Sequence, residues 1–429
     1  MSERHRERWN AGNEEVLMIV PRRVMALATV VFWTALLTAV PALAQTCVPG
    51  SSLRDGIRVL GCLLGSEQAG SVVATLTDIE VSTAPLGTST GGFTFTFDPT
   101  LRTWKRSASS FGPAFAERAL TTGKAKISAG FNYLHASYRS LEGFNLHNGD
   151  LQPALNIQGD PFHTVATSLQ LNMSSDTVVA FGHVGVTDDL DVGVAVPWVR
   201  VRVDGVGQGL GSSGNVLQTV VLAAASSSGI GDVAIFGKYR LWRQAEGGVA
   251  AAVDVRLPSG DKNALRGLDV TRTLISGVWS QGGSRVSPHA NVGYEFWSKA
   301  VPISLAGDVA AKDQFKYAVG LEFEAHPRMT AVVDLVGRQL LKGGALEYQH
   351  FSQRAGTVVN GAVVCPGPAD CQADVLVAVP KGIHQLALAP SIKWNAFQSV
   401  LITGNVLVSL NQRGLRAAVI PVVGLDWAF

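Results

Sequence analysis

From about residue 124 to its end, the chain repeats one rhythm, with apolar and polar residues alternating in run after run of ten or so. Tyr317, Val319, Leu321 and Phe323 interleave with Lys316, Ala318, Gly320, Glu322 and Glu324. A period of two puts those sets on opposite faces of a strand, whereas a helix would scatter the glutamates around its circumference. The same reading holds for Val233, Ile235, Tyr239 and Leu241 against Asp232, Lys238 and Arg240, and for Val253, Val255 and Leu257 against Asp254 and Arg256. It holds again for Leu386, Leu388, Ile392 and Trp394 against Gln385, Ser391, Lys393 and Asn395. In the last run Val423, Leu425, Trp427 and Phe429 share a face, and the run closes on an aromatic residue.

Only 16% of the residues are charged and 47% are hydrophobic, yet after residue 44 no apolar stretch reaches the length of a transmembrane helix. Lipid offers no partner to free backbone groups, so strands cross it only as a closed barrel. Each run is about the 9–11 residues that a tilted membrane strand needs. The alternation predicts strands near 124–138, 165–186, 190–203, 230–241, 247–258, 269–280, 286–298, 315–325, 329–341, 384–395, 399–409 and 417–429. The connections alternate in length as well. Those at 187–189, 242–246, 281–285, 326–328 and 396–398 are short, and those at 139–164, 204–229, 259–268, 299–314 and 342–383 are long. Outer-membrane barrels have this asymmetry, with turns on the periplasmic side and loops outside. The expected fold class is therefore all-β, a transmembrane antiparallel barrel of about 12 strands with an N-terminal segment outside the barrel wall. Fourteen strands is the alternative, because Phe93 to Phe97 also alternates and could begin another hairpin.

The first 44 residues carry an export signal, in which Arg22 and Arg23 precede an apolar stretch from Val24 to Val40 and Ala42-Leu43-Ala44 offers the small residues of a cleavage site. Its start is Met1, Met18 or Met25. Residues 45–123 then form a periplasmic extension or a plug inside the barrel, and residues 124–429 form the barrel. In an exported chain the four cysteines favour disulfides, and the sequence neighbours Cys47 with Cys62 and Cys365 with Cys371 are the economical pairs. Their spacing fits no compact zinc motif.

A net charge of +2 without a basic run gives nucleic-acid binding no support. His135, His163, His183, His289, His326 and His384 lie on separate strands or turns with no serine or aspartate signature beside them, so no enzyme is expected, and no metal or cofactor. Asp232, Lys238, Arg240, Asp254, Arg256, Glu295, Glu322, Glu324, Asp334 and Arg338 fall on the inward parity and are the lumen-facing candidates. Because both signs are present, they read first as a lattice of ion pairs and second as a permeation path. The apolar stretches Val216 to Leu222 and Val375 to Val379 lie in expected loops, where they either collect a ligand or extend neighbouring strands. Arg200 and Arg202, near the outer end of their strand, either meet lipopolysaccharide phosphates or are solvated at the rim.

Several turn and strand segments carry a family resemblance. They are Gly112-Pro113 with Glu117-Arg118-Ala119-Leu120, Gly185-Val186-Thr187-Asp188-Asp189-Leu190, Gly229-Ile230-Gly231-Asp232-Val233, Leu257-Pro258-Ser259-Gly260-Asp261, and Ser287 to Tyr294. The chain resembles outer-membrane proteins of the meta pathway of phenol degradation, a family similar in architecture to the long-chain fatty-acid transporters. The resemblance implies residence in the bacterial outer membrane and uptake of a small hydrophobic or aromatic compound. A structural or general-diffusion barrel is the alternative. The expected partners are outer-membrane lipid and lipopolysaccharide, the barrel-assembly machinery, which would engage Leu425, Trp427 and Phe429, and a small apolar solute.

Overall fold

A computed structural model describes residues 50–63, 67–83, 92–98, 100, 102–151, 155–156, 164–210, 216–244, 246–283, 285–303, 309–352, 357–359, 362–364 and 372–429. The expected signal peptide lies outside these residues. So do Cys47, Cys365 and Cys371, while Cys62 is described only as a backbone position in a helix, so both expected disulfides fall outside as well.

Twelve antiparallel strands close into a barrel. They are β1 (Ile127–Leu141), β2 (Thr164–Gly185), β3 (Leu190–Leu210), β4 (Ala234–Gln244), β5 (Gly247–Arg256), β6 (Arg272–Ser280), β7 (Val286–Trp297), β8 (Gln314–His326), β9 (Met329–Leu340), β10 (Ile383–Phe397), β11 (Val400–Ser409) and β12 (Val419–Ala428). Closure comes from β1, which pairs with β12 on one side, Phe131 opposite Leu425, and with β2 on the other, Phe131 opposite Ala180. A closed ladder leaves no edge to face lipid, which is what the alternation requires. The outward parity is apolar and exposed, as at Val192, Val194, Val196 and Trp198 of β3, while Asp191, Ala195, Pro197 and Val199 on the other parity are buried. With its apolar belt and filled, polar interior, the protein is an outer-membrane β-barrel. The fourteen-strand alternative fails, because Phe95–Asp98 pairs only with Thr103–Arg106 in a separate hairpin.

Two expectations about the wall need correction. Residues 204–229 are not a loop: Val216–Ile230 is a strand that pairs with the upper part of β3, from Trp198 to Leu210. The fourth strand does not start at 230, because residues 231–233 leave the ladder and β4 begins at Ala234. Pro197 lies opposite the break, and having no N–H it cannot supply a ladder donor there. The released groups bond elsewhere. Gly231 N donates to Pro197 O at 2.9 Å, Val233 N donates to Ser259 Oγ at 2.8 Å, and Gly260 N donates to Asp232 at 3.1 Å. The 257–268 connection therefore seals the gap between the upper strand and β5.

Helices α1 (Leu53–Leu63) and α2 (Glu67–Ser82) sit in the loop end of the barrel. Ile57, Leu60, Val72, Val73, Leu76 and Ile79 join one buried apolar cluster with Leu171, Val201 and Val203 of the wall and Ile303, Leu340, Leu346 and Ile383 of the loop end. Val220 and Leu222 pack against this same cluster, so that part of the apolar 216–222 stretch extends a strand and supports α1. Val377, Ala378 and Val379 also pack here, on a strand, Gln372–Val379, that pairs with Ala345–Ser352 inside the expected 342–383 loop.

Candidate functional site: a plugged lumen with a central chamber

The polypeptide between residues 110 and 122 crosses the lumen, and its backbone donors find acceptors on inward side chains of the wall. Phe111 N donates to Thr330 Oγ1 at 3.0 Å, and Ala114 N and Phe115 N donate to Asp334 at 3.0 and 2.9 Å. Glu117 N donates to Asn291 at 2.7 Å, Ala119 N to Ser280 Oγ at 3.0 Å and Thr122 N to Asp191 at 2.8 Å. Two lysines take the carbonyls: Lys393 Nζ donates to Pro113 O at 2.6 Å, and Lys238 Nζ donates to Arg118 O at 3.0 Å. A backbone lacking secondary structure is costly to bury unless its groups are paired, and these wall side chains do the pairing. Asp334 is itself held by His289 Nε2 at 2.6 Å, and Ser110 Oγ donates to Glu322 on β8.

A second clamp lies higher, at the C-terminus of α2. Ser82 O accepts from Arg256 at 2.7 Å and from Arg272 at 2.9 Å, and Arg338 bonds both Thr83 and Glu80. Three guanidiniums thus gather at the negative end of the helix dipole, two of them on the Ser82 carbonyl and Arg338 on the side chains of Thr83 and Glu80. Inside the mouth, Asp78 faces Arg54, yet complete burial pushes its carboxyl well above the usual range.

Between the two clamps lies a cavity of about 300 Å³. Glu80 and Thr83 bound it on the α2 side, and Phe115 and Glu117 bound it on the other. Every one of the twelve strands contributes to its wall. Most of the lining is apolar; Leu134, Phe181, Phe236, Leu407 and Ile420 make up one side, and on the other Asp254, Arg256, Lys316 and Arg338 stand among Ala252, Leu274, Ala318 and Val336.

The ten candidates taken from the charge pattern occupy several places. Arg256, Asp254 and Arg338 line the chamber. Lys238 and Asp334 hold the crossing segment, as does Glu322 through Ser110. Glu295 is buried against Lys316, Gln314 and the Trp297 indole. Asp232 sits in the wall break and pairs with Arg272 at 3.0 Å. Arg240 is at the turn end, where it bonds Asp189 at 3.1 Å, and Glu324 is half-buried at that same end. The ten candidates left out the charged Asp191 and Lys393, the latter already on the polar face of its strand, and the uncharged Ser280, Asn291 and Thr330. The inward parity was the available signal, since all five are polar residues on the inner face of a strand.

Among the described residues, no group of three histidine, cysteine or acidic side chains is placed to hold a metal ion. His289 is enclosed by Asp334 and Glu322, while His326 Nδ1 accepts from Arg328 N at 3.2 Å and so shapes a turn.

These features define an outer-membrane barrel whose lumen is plugged by its own N-terminal chain. Residues 154–322 match the family described as "Putative MetA-pathway of phenol degradation". No curated protein matches the chain. Among solved structures, an outer membrane channel from Pseudomonas putida F1 is similar over 72% of this chain and 98% of its own, at 11% identity and a TM-score of 0.45. The Ralstonia pickettii toluene transporter TbuX is similar over 72% of this chain and 90% of its own, at 10% identity and a TM-score of 0.35. A Pseudomonas aeruginosa FadL homologue is similar over 81% and 97%, at 10% identity and a TM-score of 0.30.

Proposed function

We propose that the protein is a channel for uptake of a small hydrophobic or aromatic compound, which pauses in the central chamber on its way through the barrel. The observation that carries this reading is the chamber itself, a mostly apolar cavity of about 300 Å³ walled by all twelve strands and obstructed on both sides. An open, water-filled pore would pass polar solutes by size. A plugged barrel with an apolar cavity favours a compact, largely apolar solute that can shed its water there. The charged groups around the cavity are engaged with one another or with the plug, as in Lys316 with Glu295 and Arg338 with Glu80, so they hold the interior together and set no ion-selective path. Catalysis plays no part in this reading.

The test is flux into liposomes carrying the purified protein, with toluene or phenol compared with a polar solute of similar size such as glycerol. Faster entry of the aromatic solute with glycerol unchanged supports the proposal. Equal acceleration of both supports a general-diffusion barrel.

A further inference from the structure

The outward face of β1, β2, β3 and the 216–230 strand changes character within a single step along the strands. Tyr133, Val178, Trp198 and Ile230 are cross-strand partners in register, and all four are exposed and apolar or aromatic. Two residues further toward the loop end, the register places His135, Asp176, Arg200 and Ser228 side by side. The next row holds Ser137, Ser174, Arg202 and Ser226. Ten residues separate Leu190, at the turn end of β3, from Arg200. At a rise of about 3.3 Å and a tilt of about 40°, that is roughly 25 Å of height, which is the thickness of the apolar band on an outer-membrane barrel. Arg200 therefore stands where acyl chains give way to headgroups.

The row is built in advance. Asp176 accepts from Tyr133 Oη and faces His135 Nδ1, both at 2.8 Å, and it pairs with Arg202. Arg200 and Arg139, which lies higher on the same outward face of β1, are exposed, and neither guanidinium has a protein partner among the described residues. The far side of the barrel is different. In β7 to β12 the only lysines and arginines are Lys316, Arg338 and Lys393, all inward, and the loop end of β7 and β8 presents Tyr294, Phe296, Phe315 and Tyr317.

We infer that this sector binds the phosphorylated sugar headgroup of the outer-leaflet glycolipid, with Arg139 and Arg200 on a phosphate and Arg202, held by Asp176, beside them. A guanidinium meets a phosphate through paired, charge-assisted hydrogen bonds, and the strongest of these form at an interface where water is depleted. Trp198 and Tyr133, just below, are placed against the first carbons of the acyl chains. The sector lies on the outer face of a wall whose inner face, with Leu134, Ala136, Ser175 and Thr177, lines the chamber, so a lipid bound there does not enter the solute path and this inference stands apart from the transport reading.

The test uses the full protein in detergent, with native mass spectrometry counting bound lipid. The probes are bisphosphorylated lipid A, fully dephosphorylated lipid A and inorganic phosphate. Bisphosphorylated lipid A is expected to bind at least tenfold more tightly than the dephosphorylated form. The double variant Arg139→Ser with Arg200→Ser should remove that preference, while Lys299→Ser, an exposed cation elsewhere at the loop end, should leave it intact. Retention of heat-modifiable migration shows that the variants are folded. Equal binding of the two lipids, a double variant that behaves as wild type, or an equal loss with Lys299→Ser overturns the inference. Displacement of the lipid by inorganic phosphate at equal concentration overturns the assignment to a lipid.

Discussion

The guanidinium of Arg272 lies 3.0 Å from the Asp232 carboxylate, and both side chains are shut away from solvent. The same nitrogen of Arg272 also donates to Ser82 O. One residue of β6 therefore ties the break in the wall to the end of helix α2. Changing Arg272 to Leu leaves a buried Asp232 without its counter-charge, which typically costs about 3–5 kcal/mol. A lower melting temperature and faster proteolysis of the purified barrel should follow. The double change with Asp232→Asn should recover part of the loss, because no charge is then stranded.

Leu321 faces lipid at 54% exposure, while Ala318, three residues away and of opposite parity, is 7% exposed and lines the chamber. Leu321→Arg should cost about 2–4 kcal/mol if it lies near mid-bilayer. Ala318→Arg can place its side chain in the cavity and should cost less. Denaturant titration into lipid vesicles measures both, and equal penalties would contradict the facing of β8.

At the turn end, Asp189 accepts from Arg243 at 2.6 and 2.7 Å and from Arg240 at 3.1 Å, and the Arg243 bond holds its carboxyl below the usual carboxylate range. A depressed folded-state pKa contributes stability that is present above the unfolded value, about 3.9, and lost as pH falls through the folded value. The melting temperature of the wild type should therefore drop below about pH 4. Asp189→Asn should begin lower and drop less over the same range.

Phe429 N donates to Ile127 O at 2.8 Å, so the last residue helps close the barrel seam while its ring stays exposed. Phe429→Asp should reduce the amount of folded, heat-modifiable protein in the membrane several-fold if this aromatic end is what the assembly machinery engages. The purified variant, refolded in detergent, should reach nearly wild-type stability.

The barrel was legible because each strand has one lipid face and one inner face, and a period of two records that directly. Each of the twelve strands overlaps one of the alternating runs, although the third extends to Leu210 and the fourth begins only at Ala234, and the unequal connections set their direction. What periodicity does not record is a departure from the ladder. Gly231, Asp232 and Val233 continue the alternation in sequence, yet they leave the sheet because Pro197 on the neighbouring strand offers no donor. Val216–Ile230 has the sequence of a loop because its small Ala and Ser residues hide the alternation, and its bulge opposite Val203 and Gly205 shifts the phase. The crossing segment is invisible to pattern reading for a different reason. Residues 110–122 are held mainly through backbone N–H and C=O groups, which nearly every residue has, so it is chiefly the wall side chains bonding them that leave a trace in the sequence.

The central claim is that solute passes through the chamber, and the most direct measurement fills it. Ala136 is buried on the apolar side of the lining, and Ala136→Trp would occupy that space from within while removing none of the bonds of either clamp. Toluene flux into liposomes should fall to the protein-free rate for this variant, at wild-type levels of folded barrel. Undiminished flux through a folded Ala136→Trp barrel would contradict passage through the chamber.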